Sequence, residues 1–121
     1  MHDDADAFVA DDVRLLADIG FLALSRGLDR HALAVFEGVQ ALRPTQEAGP
    51  LGVALVQLYR GELDDAVKGL RALKPSDAAL TFLGLALSRQ GAASEAREVL
   101  DEVLASAPDT PFAAIAREAL R

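Results

Sequence analysis

Apolar and polar residues alternate at helical spacing along most of this chain. Leu16, Ile19, Gly20 and Ala23 fall on one side of a helix, as do Leu80, Leu83, Gly84 and Leu87, and both stripes read L-x-x-[IL]-G-x-x-[AL]. Behind each stripe comes a glycine and, five residues later, an alanine: Gly27 with Ala32 and Gly91 with Ala96, with Gly61 and Ala66 forming a third such pair between them. The glycines are 34 and then 30 residues apart, and Pro44, Pro75 and Pro108 close the three units. A period of this length predicts helix–turn–helix pairs in which Gly27, Gly61 and Gly91 cap the first helices in the left-handed conformation. Second helices are expected over about 30–42, 63–73 and 93–106. Asp29 and Ser94 suit their N-caps, and Asp64 and Asp65 the first turn of the middle one. The prolines stop these helices because they cannot continue the backbone ladder. Residues 111–121 make a last amphipathic segment through Phe112, Ile115, Ala116 and Leu120, read as a C-terminal capping helix.

The small residues carry a packing argument. Gly20 with Ala32, and Gly84 with Ala96, let two antiparallel helices approach closely, while Leu16, Leu80, Phe36 and Leu100 fill the space beside the contact. The middle unit departs from this: Pro50 and Gln57 occupy places where large apolar residues belong. A one-residue shift of its first helix brings Leu51, Ala54, Leu55 and Leu58 into the packing positions instead, and the pattern leaves both registers open.

Composition agrees with an all-α chain. The 121 residues suffice for one domain, and 24 Ala and 20 Leu against six aromatics are helix-former usage. With no Cys, a disulfide scaffold, a thiolate metal site and a cysteine nucleophile are excluded. Net charge is −7, but Asp3, Asp4, Asp6, Asp11 and Asp12 sit in the first twelve residues with no Lys or Arg among them, so the rest carries about −2. Residues 1–12 are therefore set apart as an acidic, partly disordered segment before a single domain over 13–121. Such a balance lacks the basic stripe that phosphates require, which argues against nucleic acid. Its acidic start is the opposite of a secretory leader, and no apolar run reaches a membrane span, so a cytoplasmic protein is expected.

The repeat pattern resembles the tetratricopeptide repeat: a bulky residue, Leu-Gly, a Gly at the turn, an Ala, an aromatic or Leu, and a closing Pro. Val13 to Gln46 matches at Leu16, Ile19-Gly20, Gly27, Ala32, Phe36 and Pro44. Asp77 to Thr110 matches at Leu80, Leu83-Gly84, Gly91, Ala96, Leu100 and Pro108. The resemblance implies a right-handed superhelix of three TPR-like repeats, at about 13–46, 47–76 and 77–110, with the capping helix at 111–121. A narrower likeness rests on L-L-A-D-I-G at Leu15 to Gly20, R-G-E-L-D-D-A at Arg60 to Ala66 and the ending near Phe112 to Leu120. These segments resemble the YscG-like family of bacterial type III secretion chaperones. That resemblance implies a needle subunit as client, bound through its amphipathic C-terminal helix, and a small helical co-chaperone.

Candidate chemistry is sparse. His2 and His31 have no H-x-x-H or H-E-x-x-H spacing, and Asp3, Asp4 and Asp6 lack the Gly and distal Glu of a calcium loop. No phosphate loop or nucleophile elbow is present, so neither an enzyme nor a cofactor is expected. The informative excess is apolar: at 100° per residue, Phe82, Leu85 and Ala86 point away from the inward stripe of the third unit. Phe21 and Leu24 in the first unit, and Leu51, Leu55, Leu58 and Tyr59 in the second, add to that side, with Arg89 as its basic candidate. First helices line the concave face of a repeat stack, so the sequence predicts an apolar groove for an amphipathic partner helix. Core burial of the same residues, a homodimer, or a general adaptor or scaffold that docks on a larger complex are the competing readings.

Overall fold

A computed structural model of the chain describes the backbone of residues 2–121 and the side chains from Asp12 onward. Among the described residues the regular structure is α-helical: α1 (His2–Ser25), α2 (Asp29–Leu42), α3 (Ala48–Arg60), α4 (Leu63–Arg71), α5 (Asp77–Gln90), α6 (Ala93–Ser106) and α7 (Pro111–Ala119). The acidic run enters α1 at His2, and its side chains up to Asp11, with His2, Phe8 and Val9, lie outside the described residues. The helices group into two compact units, Met1–Arg60 and Gly61–Arg121. The middle repeat is divided between them, α3 falling in the first and α4 in the second.

One backbone device joins each first helix to its second. Gly27, Gly61 and Gly91 have φ of +77°, +77° and +88°, a region open to glycine at little cost. Leu28, Glu62 and Ala92 follow at φ −88°, −81° and −81°, and the next helix starts at once. Their carbonyls accept from the N–H groups of Ala32, Ala66 and Ala96 at 2.9, 3.0 and 2.9 Å. The five-residue Gly-to-Ala spacing is thus a cap glycine, one bridging residue and the first turn of the second helix. The N–H groups of Leu28 and Ala92 also donate back to the carbonyls of Ala23 and Leu87, closing the preceding helices in Schellman fashion.

This turn corrects two expectations. The N-caps are Leu28 and Ala92, without side-chain caps, whereas Asp29 and Ser94 lie inside the helices. The glycine closes the turn through backbone alone and leaves no extended position for Asp29 or Ser94. Side-chain caps occur instead where a proline-containing loop enters a helix. The hydroxyl oxygens of Ser76 and Thr110 accept from the N–H groups of Ala79 and Ala113 at 3.0 and 3.3 Å, and Pro111 opens α7.

In the first unit α2 packs on α1 and α3, and Phe36 at its centre is fully buried. Glycines stand on both sides of its ring: a Cβ on Gly20 would lie 2.8 Å from it, and one on Gly52 would overlap it. In the second unit α5 packs on α4, α6 and α7. Leu100 is its buried centre, next to Ala116, and a Cβ on Gly84 would overlap the Leu100 side chain. A constant step of 64 residues carries Gly20 to Gly84, Leu28 to Ala92, Phe36 to Leu100 and Gly52 to Ala116. The same step carries α2 onto α6 residue for residue. Within α3, Leu51, Ala54 and Leu58 of the shifted register are buried, while its fourth residue Leu55 is half-buried like Pro50 and Gln57. Gly52 and Val56 of the same helix abut the Phe36 cluster, so α3 is buried on more than one face.

Candidate functional site

The residues proposed as groove lining do not all lie in the open. In the first unit the Phe21 ring meets the Phe36 ring at 4.8 Å between centroids, tilted by 58°. Leu24 packs on the same cluster, so both are half-buried walls of the core. Leu51 and Leu58 are 7% and 6% exposed and belong to the interior, a correction to their placement on a binding face. Leu55 is half-buried. Tyr59 stands exposed, with its hydroxyl beside Gly27 at the α1–α2 turn. Next to it, Arg60 Nε donates to Asp29 Oδ2 at 2.6 Å, tying the end of α3 to the start of α2. That bond holds the Asp29 carboxyl below the usual carboxylate range.

The second unit brings several apolar residues to one opening. Leu85 of α5, with Ala114, Ile115 and Ala119 of α7, lines an open cleft of about 460 Å³, with Glu118 at its edge. Phe82 is half-buried one turn earlier on α5. Ala86, expected beside them on the outer face, is fully buried. Thr81 is also fully buried, and its hydroxyl donates to the Asp77 carbonyl at 2.6 Å, which is how a polar residue is accommodated inside α5. Arg89 is not at this cleft. It borders a polar hollow with Asp64, Asp65 and Gln90, where Gln90 Nε2 donates to Asp64 Oδ1 at 2.6 Å.

Sequence reasoning missed two features. Ile115 carries a helical signal, but the pattern reads it as part of a capping helix rather than as a wall of an opening, and Ala119 is outside the stripe that the pattern picks out. The second is on α1, where Ile19, placed inward by the repeat pattern, is 44% exposed with Leu15 and Leu22 beside it. Among the described residues no group of three His, Asp or Glu is placed to hold a metal ion, and no helix is long and apolar enough to cross a membrane. No protein-family model matches the chain, and no curated protein was found to resemble it. What stands is an all-α, multi-helix fold consistent with a helical-repeat protein.

Proposed function

We propose that this chain is a tetratricopeptide-like chaperone that holds an amphipathic helix of an aggregation-prone secretion-apparatus subunit in the bacterial cytoplasm until export. The observation that carries the reading is the apolar cleft of Leu85, Ala114, Ile115 and Ala119. Its alanine walls leave room for side chains from a partner, and large apolar residues on a helix would gain roughly 25 cal/mol per Å² buried there. Occupying the client's apolar stripe blocks self-assembly, because the stripe that would pair with another client is already covered. The needle subunit as client, and a small helical co-chaperone, come from the resemblance of Leu15 to Gly20 and Arg60 to Ala66 to the YscG-like family. An adaptor or scaffold is the second reading, favoured by the exposed Leu15, Ile19 and Leu22, which a chaperone working through the cleft alone does not use.

The test is pull-down of a needle-sized helical client with the wild-type chain and with Leu85→Asp. The proposal expects capture by the wild type and its loss in the variant at unchanged circular-dichroism helicity. Undiminished capture by a folded Leu85→Asp variant would remove the cleft from the account.

A further inference from the structure

A helix face that is covered in one unit lies open in the other. Leu15, Ile19 and Leu22, spaced i, i+4 and i+7, form one stripe along α1 and are 59%, 44% and 54% exposed. The 64-residue step carries them to Ala79, Leu83 and Ala86 of α5, which are 3%, 7% and 0% exposed. There α4 packs on α5, with Leu70 and Leu73 facing the seam beside Ala79 and Leu83. The equivalent surface therefore carries a helix in the second unit and none among the described residues of the first. The open copy also has the larger side chains, Leu, Ile and Leu against Ala, Leu and Ala. That is the reverse of what contact with water favours, and it is the mark of a surface that is covered in use.

Charge narrows the occupant. At 100° per residue, Asp12 and Asp18 fall about 60° to either side of the stripe, and both are exposed. Over its whole length α1 carries six Asp against the single Arg14. A second copy of this chain laid parallel along the stripe would set Asp12 and Asp18 against their own counterparts, which opposes self-association in that orientation.

We infer that the Leu15–Ile19–Leu22 face of α1 docks a helix from another protein, one with apolar residues at i, i+4 and i+7 and Lys or Arg on both flanks. The helix lies on α1 as α4 lies on α5, its apolar residues on the stripe and its cations beside Asp12 and Asp18. The site shares no residue with the Leu85 cleft, so the α1 face and client binding at the cleft are tested separately.

Two labelled synthetic helices of about 18 residues, five turns long, test it by fluorescence anisotropy against the full chain. Both carry Leu at i, i+4 and i+7; one is flanked by lysines and the other by glutamates. The lysine helix is expected to bind at least tenfold more tightly than its twin, to weaken as salt is raised, and to lose at least tenfold on Ile19→Asp but not on Leu85→Asp. Asp12→Asn with Asp18→Asn should erase most of the lysine preference, and this pair carries the test if Ile19→Asp fails to fold. Failure of the lysine helix to bind, or equal binding by folded Ile19→Asp, would overturn the inference. So would an unchanged preference in the double Asn variant. A concentration-dependent dimer that Ile19→Asp dissociates would also overturn it, by making a second copy the occupant.

Discussion

The two units place different residues in one geometry, and exchanging them tests the packing account. Phe36 lies between Gly20 and Gly52, whereas Leu100 lies with Gly84 and Ala116. In Gly52→Ala the new Cβ would overlap the Phe36 ring, and Gly20 and the Phe21 ring crowd that ring from α1, so it has no free space to retreat into. Overpacking of this kind costs about 1 to 3 kcal/mol, and the gain in helix propensity from Gly to Ala returns about 1. The single variant should therefore lose up to about 2 kcal/mol. Phe36→Leu leaves unfilled space in the same place and should cost about 1 to 2 kcal/mol. Combined, the alanine methyl enters the space that the smaller leucine vacates, reproducing the Leu100–Ala116 pair. The double variant should then be less destabilised than the sum of the singles by about 1 kcal/mol or more. Urea unfolding of the four proteins, followed by circular dichroism, gives the coupling directly. Additive losses within about 0.3 kcal/mol would refute the reasoning.

Three further expectations follow from local structure. Gly91→Ala places a Cβ at φ +88° with no neighbour within 4 Å, so it should cost about 1 to 2 kcal/mol from backbone strain alone, and Gly91→Asn should cost less, both read from melting temperature. Thr110→Ala removes the hydroxyl that accepts from Ala113 and should cost about 1 kcal/mol, with Thr110→Ser retaining most of the stability in the same melts. The depressed Asp29 carboxyl makes the Asp29–Arg60 pair favour folding above its unfolded pKa of about 4, and that contribution is lost as pH falls through the lower folded value. Arg60→Gln should therefore melt below the wild type at pH 7, with the gap closing below about pH 4 and shrinking at high salt.

Much of the fold is written in the small residues. The positive-φ glycines, the buried Ala32, Ala66 and Ala96, and the close approach at Gly20 and Gly84 follow from spacing, because each needs an absent or minimal side chain that no larger residue can imitate. The N-caps expected at Asp29 and Ser94 fall at Leu28 and Ala92 because a glycine-closed turn satisfies its own backbone, and the oxygen-bearing residue beside it is not needed as a cap. Sorting inward from outward faces was less legible. Ile19 and Leu83 occupy the same place in the repeat pattern, yet one is 44% exposed and the other 7%. The difference lies in the neighbouring helix, since α4 packs on α5 and no described counterpart packs on that face of α1. A single helix's periodicity carries no information about such a neighbour. For the same reason Leu51 and Leu58 read as surplus although they are core, while Leu85 and Ile115, from segments given different roles, share one opening.

The most direct test of the central claim is the solution mass of this chain co-expressed with a helical secretion subunit of needle size, measured by size-exclusion chromatography with light scattering. The account predicts a soluble complex with one client per chain that Leu85→Asp abolishes at unchanged helicity. A client that still polymerises beside the wild-type chain, or a complex that survives Leu85→Asp intact, would contradict it.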